Sequence, residues 1–394
     1  MADAGSSEIE IGSLSINHFG EELCGDHIKE IKKSDGEVVF VLADGLGSGV
    51  QASILSTLTS TLLCKMMEGG LPIDDAVRSL VKTLPVAKNR GNVAYSTFSI
   101  VMVKPDFSAK IYNYDNPLPI RLVNGKERPL HFNLLEIEGK KIYAAKTYLS
   151  LNDEIVLLSD GTVYAGVGAS LNFGWTREEI VKYLEGLYDP SLSSKNLATI
   201  LVGHCNDLYE GKPGDDTTVS VIRRRNRCNC NLLVGPATNP DDDSKMMGLF
   251  FGKGGKHIVC GGTSATVAAR YLKEKIETSL DYEDKDIPPI SHINGVDLVT
   301  EGIVTLNKLV ETAKDYLGQN KKYFDWSYKQ DGVSLLAKAL FEEASDISFF
   351  VGCAVNPAHQ DPHYNIGIST KMGLVEELTK CLQEMGKHVK VAYF

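Results

Sequence analysis

The chain has 394 residues and a formal net charge of −10, so we expect two domains and do not expect nucleic acid as the main partner. No apolar run approaches the roughly 20 residues needed to cross a bilayer. The first residues, MADAGSSEIEIG, lack the basic and apolar regions of a signal peptide. We therefore expect a cytoplasmic globular protein with no membrane partner.

The first half of the chain is rich in predicted strands, which long helices separate. The apolar spacing of the first helix predicts one buried face, formed by Ile54, Leu55, Leu58, Leu62 and Leu63. Strands with paired helices between them favour an α+β sandwich. Strands are predicted over 37–43, 95–103, 109–114, 154–159 and 217–222, and helices over 50–67, 73–84, 177–187 and 193–209.

A basic run, Arg223 to Arg225 with Arg227, follows; we interpret it as a solvated linker. Beyond it, strands and helices alternate, which favours a sheet covered by helices. The acidic run from Asp241 to Asp243 is predicted to be a solvated loop. The expected fold is α+β, with an N-terminal β-sandwich flanked by helices (1–225) followed by a smaller α/β domain (229–394). Strands are predicted there over 231–234, 256–260, 296–299, 347–351 and 389–393, and helices over 263–275, 304–316, 332–344 and 373–385.

Three aspartates stand beside strand-like runs: Asp44 in VLADGLGSG, Asp160 in VLLSDGTVYAG and Asp215 in GDDTTVSVI. Side chains at strand ends can converge from distant parts of the chain, and carboxylates that converge repel one another. A hard divalent cation such as Mg²⁺ or Mn²⁺ relieves this repulsion because it takes oxygen ligands. Asp26, in CGDH, is a fourth acidic candidate. A lone Asp-Gly pair, by contrast, is usually only a turn signal.

Four carboxylates and a backbone carbonyl could hold two cations. Two such ions can share a water, lower its pKa and orient it for in-line attack on phosphorus. They would also neutralise charge on the phosphoryl oxygens. If the acidic set holds two such ions, it could hydrolyse a phosphate ester, and no covalent nucleophile is then needed; the alternative is that these aspartates only form turns and caps.

The first 225 or so residues resemble the type 2C metal-dependent Ser/Thr protein phosphatases. The resemblance is to the bacterial branch typified by the sporulation stage II protein E (SpoIIE) phosphatase and the stress-response regulatory phosphatases. It implies a β-sandwich fold with metals at one edge. The resembling segments, in matching order and spacing, are CGD (24–26), ADGLGSGVQAS (43–53), YSTFSIVMV (95–103), LLSDGTVYAG (157–166) and GDDTTVSVI (214–222).

The resemblance also implies roles for single residues. Asp44 corresponds to the ligand that bridges both metals, with the carbonyl of Gly45 on one of them. Asp160 and Asp215 correspond to ligands of one metal, and Asp26 to the acidic position near the other. Asp44 and Asp160 are thus the expected catalytic residues. Asp216 is expected to contact the metal-binding side chains without binding a metal itself.

The chain departs from many eukaryotic relatives, which hold the substrate phosphate with an Arg near the N-terminus and use a His after the Asp-Gly pair as a proton donor. Leu46 follows that pair here, and no Arg precedes Asp44. His27 adjoins Asp26 and could donate a proton or merely support the ligands. Lys29 and Ser48 are candidates for holding phosphate.

In the second half, HIVCGGTSATVAARYL (257–272) predicts a strand, a glycine turn and a helix. The turn, Gly261 to Ser264 (Gly261, Gly262, Thr263, Ser264), could form an anion pocket at the helix N-terminus, or Thr263 or Ser264 could simply cap the helix. Asp297, Thr300 and Glu301 could lie near that pocket if the sheet is parallel.

Three functions stay open at this stage. The leading one is Mn²⁺- or Mg²⁺-dependent hydrolysis of phosphoserine or phosphothreonine on a bacterial regulatory phosphoprotein, with two metals per catalytic domain. The C-terminal domain would then regulate this activity, by sensing a phosphate-bearing small molecule or by docking a partner. The alternatives are a weakly active phosphoprotein-binding module and a small-molecule phosphatase. A homodimer is a further open alternative.

Overall fold

The computed structural model describes residues 7–83, 96–278, 288–354 and 367–394. The ends of two predicted elements, at Leu84 and Tyr95, lie outside these ranges. The chain divides into two units, Met1–Asn226 and Arg227–Phe394.

Unit 1 contains a sandwich of two antiparallel sheets. One sheet has six strands in the order β2-β3-β4-β5-β9-β8, and the other has five in the order β1-β11-β10-β6-β7. The strands are β1 (Ser7–Ile16), β2 (Asp26–Lys32), β3 (Val38–Gly45), β4 (Ser96–Val103), β5 (Ser108–Tyr114), β6 (Ile120–Val123), β7 (Lys126–Glu127), β8 (Asn133–Ile137), β9 (Lys140–Tyr148), β10 (Glu154–Leu158) and β11 (Thr217–Asn226).

Helices cover both outer faces of this sandwich. Between the sheets, alternate side chains such as Phe40, Ile111 and Leu157 form a fully buried core. Helices α1 and α2 pack on the six-stranded sheet, whereas α4 and α5 pack on the five-stranded sheet. The predicted α+β sandwich flanked by helices is therefore confirmed. The helices are α1 (Gly49–Glu68), α2 (Ile73–Thr83), α3 (Asp160–Val163), α4 (Arg177–Leu187) and α5 (Ser194–Leu208).

The face of α1 that lies against the sheet differs from the predicted one. Ile54 and Leu58 are 52% and 40% exposed, and of the five predicted core residues only Leu63 is fully buried. Small side chains such as Ala52, Ser56 and Ser60 face the sheet instead. The prediction was wrong because the helix lies too close to β3 for large residues to fit between them.

The arginine run is not a solvated linker. Arg223 and Arg224 belong to β11 and are only 3% and 7% exposed. Arg223 donates to the carbonyl oxygens of Leu192 and Pro190, both at 2.6 Å. The guanidinium of Arg224 lies over the Phe107 ring, 3.7 Å from its centroid. Burial is tolerated because carbonyl oxygens and an aromatic face replace water around the charges.

Unit 2 is built on one seven-stranded sheet in the order β14-β15-β16-β13-β12-β17-β18. The five strands from β16 to β18 along this order are parallel. Helices connect them, which confirms the α/β prediction for the C-terminal part. The strands are β12 (Asn229–Val234), β13 (Lys256–Cys260), β14 (Glu277–Thr278), β15 (Ser291–His292), β16 (Leu298–Thr300), β17 (Asp346–Val351) and β18 (His388–Tyr393).

The helices of unit 2 include one that the sequence did not predict. Asp243, expected in a solvated loop, begins α6 after a 3₁₀ turn (Pro240–Asp242), and its carboxylate accepts from the backbone N–H of Ala237 at 3.0 Å. A six-residue π-helical segment (Lys338–Glu343) continues α10. The helices are α6 (Asp243–Phe251), α7 (Gly262–Leu272), α8 (Ile303–Leu317), α9 (Tyr323–Trp326), α10 (Gly332–Ala337) and α11 (Gly367–Glu384).

None of the helices in the described ranges combines the length and the hydropathy that a membrane span requires.

Candidate active site

The four predicted acidic residues lie at one edge of the sandwich, and both sheets contribute. Asp26 begins β2 and lies directly opposite Asp44, the penultimate residue of β3. Asp160 follows β10 as the first residue of α3, and Asp215 precedes β11. Because β10 and β11 are paired neighbours, their polar ends meet at the same edge.

An open cavity of about 340 Å³ lies at this edge. Three of the four acids, Asp44, Asp160 and Asp215, line it, whereas Asp26 lies beneath and is only 6% exposed. The remaining lining residues come from the turn after β3, from the segment before β11 and from two single positions. They are Gly45, Leu46, Gly47, Ser48, Gly214, His18 and Thr97.

The carboxylates affect one another's ionisation. Burial raises the pKa of Asp44, and the nearby charges of Asp26, Asp160 and Asp215 raise it further. Burial likewise raises the pKa of Asp160, although a hydrogen bond with Asp44 opposes this rise. For Asp215, burial and Asp160 raise the pKa to about 6. Without a counter-charge, then, these acids retain protons at a pH where isolated carboxylates are ionised.

Deeper in the site, some carboxylate oxygens are buried without a well-formed hydrogen bond. Neither oxygen of Asp26 makes a hydrogen bond with regular geometry, and the same is true of Oδ2 of Asp216. Burial is the main cause that raises the pKa of Asp26, and Asp216 and Asp160 add to it. Buried polar oxygens without partners are rare, which suits a group that a cation or water completes.

The donor set fits Mg²⁺ or Mn²⁺ chemically, since every candidate side-chain ligand is a carboxylate. In the parts of the chain that the structure describes, no three His, Cys, Asp or Glu side chains are already arranged to hold a metal ion. Asp44 and Asp160 share a hydrogen bond instead. Binding would therefore require the carboxylates to exchange their protons for the ion and to reorient around it.

Only glycine fits at position 45, the last residue of β3, where the chain turns toward α1. A Cβ atom at this position would lie 2.0 Å from the backbone carbonyl oxygen of Ala52. No side chain can fit there unless α1 moves away from the strand. The same close approach places the backbone of Gly45 in the cavity wall.

The two residues expected to support the ligands behave differently. Asp216 is buried beside Asp26, and its Oδ1 accepts from the backbone N–H of His18 at 3.0 Å. His27 points away from Asp26, because successive side chains of a strand alternate between faces. The Nδ1 atom of His27 lies 2.7 Å from Oγ of Ser60 on α1. His27 is absent from the cavity lining, and so is Lys29, whereas Ser48 is present.

His18 and Thr97 line the cavity but were missed in the sequence. His18 lies in the loop between β1 and β2, so only its polar character just before the Cys24-Gly25-Asp26 segment could have drawn attention to it. The Thr97 hydroxyl donates to Oδ1 of Asn116, in a network that also contains Ser99 and Asn113. This network bridges β4, β5 and the loop after β5, and fixes the cavity wall.

In unit 2, the predicted anion pocket lies at the carboxyl end of β13. Gly261 has φ 110°, a backbone conformation that glycine adopts readily, and α7 begins at Gly262 without a side-chain cap. Ser264 is buried; its hydroxyl donates to the Cys260 carbonyl and accepts from the N–H of Gly235.

The three residues predicted beside that pocket lie at opposite ends of β16. Thr300 lies next to it, because its carbonyl accepts from the N–H of Gly261 at 2.9 Å, and Glu301 follows directly. Asp297 does not lie next to the pocket. It precedes β16, at the opposite edge of the sheet, where its carboxylate accepts a hydrogen bond from the His257 N–H. Parallel strands place all their carboxyl ends together, and Asp297 is at an amino end.

Solved structures similar to this chain include phosphatase domains. The phosphatase domain of SpoIIE from Bacillus subtilis is 19% identical, with a TM-score of 0.45, and the match covers 56% of this chain and 94% of that one. The serine/threonine phosphatase of S. agalactiae is 15% identical, with a TM-score of 0.40 and coverages of 55% and 99%. RsbX in complex with magnesium is 17% identical, with a TM-score of 0.38 and coverages of 55% and 95%.

No curated protein sequence matches the chain. A family model, Stage II sporulation protein E (SpoIIE), matches residues 34–225. This segment runs from the turn before β3 to the penultimate residue of β11 and includes Asp44, Asp160 and Asp215. No family is recognised for the C-terminal region. Over residues 34–225 the chain therefore matches the SpoIIE family.

Proposed function

We propose that unit 1 is a Mn²⁺- or Mg²⁺-dependent protein phosphatase that hydrolyses phosphoserine or phosphothreonine on a bacterial regulatory protein. The observation that carries the proposal is the convergence of Asp44, Asp160 and Asp215 on one open cavity, in a domain of the SpoIIE family. The cavity is open enough for a phosphorylated side chain of a protein to enter.

In this proposal, Asp44, the Gly45 carbonyl, Asp26, Asp160 and Asp215 would hold the two metal ions, with Asp44 as the ligand common to both. Bound metal would supply Lewis acidity and a water of lowered pKa as the nucleophile. The protein residues hold the carboxylates in place, because each extends from a strand end fixed by the sandwich. Asp216, which accepts from the His18 N–H, and the hydrogen-bond network around Thr97 hold the cavity walls in place. RsbX, one of the similar proteins, is in complex with magnesium.

The test is metal-dependent hydrolysis by the full chain. With Mn²⁺ present, we expect release of phosphate from phosphoserine and phosphothreonine peptides and from p-nitrophenyl phosphate. Asp160→Asn should lower kcat at least about 100-fold, because the neutral amide is a poor ligand for a hard cation. Asp35→Asn is the matched control, since Asp35 is exposed and Asn can keep its one acceptor contact with the Glu37 N–H.

Two other functions predict different results in the same assay. A phosphoprotein-binding module would bind phosphopeptides without turnover, with or without Mn²⁺. A small-molecule phosphatase would hydrolyse phosphorylated metabolites much faster than phosphopeptides. Turnover of phosphopeptides that is unaffected by Asp160→Asn would contradict the proposed metal site.

For unit 2, we propose regulation by a phosphate-bearing small molecule at the carboxyl edge of its parallel sheet. The parallel strands lie in the order β16-β13-β12-β17-β18. From β12 the chain continues to β13 and β16 on one side, whereas from β17 it continues to β18 on the other side. The direction of the connections therefore reverses between β12 and β17. In open α/β sheets, ligands bind beside such a reversal, at the carboxyl ends of the strands. Gly261, Gly262 and Thr263 lie at this edge.

A thermal-shift series on the full chain tests this second proposal, with inorganic phosphate, ATP and glucose 6-phosphate as probes. We expect at least one probe to raise the unfolding temperature of unit 2 and to change phosphatase activity. If none of the three changes either quantity, the proposal for unit 2 is wrong.

A further inference from the structure

The active-site cavity contains one side chain that can carry positive charge. Among the described residues that line it, His18 is the single imidazole, and no Lys or Arg contributes to the wall. A phosphate monoester is anionic at neutral pH and enters between carboxylates. A protein donor that contacts the phosphoryl oxygens would add to the neutralisation by cations, and the wall offers few such donors.

The loop that carries His18 is fixed to the segment that carries Asp215. The backbone N–H of His18 donates to Oδ1 of Asp216 at 3.0 Å, and that of Phe19 donates to the Pro213 carbonyl at 2.8 Å. These two bonds tie residues 18–19 to residues 213–216. The imidazole is therefore held beside the acids.

The two ring nitrogens of His18 have different surroundings. Nδ1 is buried and has no hydrogen-bond partner. Buried N–H groups without an acceptor are rarer than buried acceptors without a donor, which favours the tautomer that carries its proton on Nε2. Since Nδ1 is enclosed and His18 lines the cavity, Nε2–H is the ring donor available to the cavity.

We propose that His18 holds the phosphate of the substrate, with Nε2–H donating to a non-bridging phosphoryl oxygen. This inference rests on the proposed phosphatase function of unit 1. It supplies the phosphate contact that many eukaryotic relatives obtain from an Arg, since no Arg precedes Asp44 in this chain. His18 is then a catalytic residue that touches substrate, and it differs from His27, which contacts Ser60.

Kinetics of the full chain at saturating Mn²⁺ test this role. His18→Ala should raise KM for a phosphoserine peptide and the inhibition constant of inorganic phosphate in parallel, each about 10- to 100-fold, as expected for loss of a hydrogen bond to a charged group. The Mn²⁺ concentration for half-maximal activity should stay unchanged. His18→Gln should recover part of the loss, because its amide N–H can reach the position of Nε2.

Controls separate a missing donor from a disturbed fold. His18→Phe keeps a ring but no N–H, so it should lose as much phosphate affinity as His18→Ala even if the alanine variant is unstable. His131→Gln alters an exposed histidine of the same unit and should match the unaltered protein.

The outcomes distinguish this inference from the proposed function. An unaltered protein without Mn²⁺-dependent hydrolysis contradicts the phosphatase proposal itself. An active protein in which His18→Ala and His18→Phe leave the phosphate inhibition constant unchanged contradicts only the role of His18. A variant that changes the Mn²⁺ requirement, but not phosphate inhibition at saturating Mn²⁺, would place His18 with the metal ligands and overturn the inference.

Discussion

Glu154 is a buried acid far along β10 from the active site. Its Oε1 lies 3.7 Å from Nε of Arg223, and the two side chains are 5% and 3% exposed. Burial raises the pKa of Glu154 to about 7, although Arg223 opposes the rise. Arg223 also donates to two carbonyl oxygens, so it keeps partners whether Glu154 is ionised or not.

This raised pKa makes stability depend on pH. The folded protein holds the Glu154 proton more tightly than the unfolded chain, whose carboxyl has a pKa near 4.5. The contribution to stability is complete below that value and is lost as pH rises through about 7. Glu154→Gln imitates the protonated form, so at pH 8 it should be more stable than the unaltered protein by up to about 3 kcal/mol.

Urea denaturation at pH 4.5 and at pH 8 measures this difference. The two proteins should be nearly equally stable at the lower pH and diverge at the higher one. Glu136→Gln, which changes an exposed acid on β8, should show no such divergence. If Glu154→Gln is less stable than the unaltered protein at pH 8, the ion pair with Arg223 outweighs the cost of burying its charge.

At the scale of elements, the contact between β3 and α1 determines the geometry of the cavity. Gly45 touches the backbone of Ala52, and the turn between them, with Leu46, Gly47 and Ser48, lines the cavity. Small residues on α1 permit this approach, which leaves larger ones such as Ile54 on the outer face.

Replacement of Gly45 tests the tightness of this packing. Gly45→Ala must displace α1 or strain β3, because its Cβ would lie 2.0 Å from the Ala52 carbonyl oxygen. We expect a loss of about 2–3 kcal/mol in the free energy of unfolding, measured in urea. Gly186→Ala is the control: Gly186 lies inside α4 with open space around its Cβ position, so alanine should be neutral or should stabilise by up to about 1 kcal/mol. Equal denaturation midpoints for the two variants would show that the contact is loose.

At the scale of the whole molecule, the proposed metal ligands all belong to unit 1. Each unit has its own sheets and its own hydrophobic core. In unit 1, apolar side chains pack between the two sheets and under the helices that cover them. In unit 2, they pack around residues such as Leu233 and Phe250. A ligand that binds one native unit stabilises that unit by mass action.

Calorimetry of the full chain should therefore show two transitions, of which Mn²⁺ shifts one. At a concentration of 100 times its Kd, the ion should raise the unfolding temperature of unit 1 by about 5–10 °C and leave that of unit 2 unchanged. Asp160→Asn should abolish the shift. A single transition that moves as a whole would show that the two units unfold together.

The sequence by itself determined the fold class, the buried strands that end at Asp44 and Asp160, and most helices. Those signals are local: apolar alternation, helical periodicity and glycine beside a strand end act over a few neighbouring residues. Several elements were overlooked. Among them, the alternating EIEIGSLSI of β1 and the helix α6 could have been found from the sequence.

Only the tertiary structure decided which face of α1 is buried, that Arg223 and Arg224 lie in the interior, and that His18 belongs to the cavity wall. Two of these depend on a contact between residues far apart along the chain: Arg223 with carbonyls of the 190–192 loop, and His18 with Asp216. The buried face of α1 depends on how closely Ala52 packs against Gly45 at the end of β3. Periodicity reports that a side chain is apolar, but how closely two elements approach is set by the packing between them. For that reason the acids could be named in advance, whereas their neighbours could not.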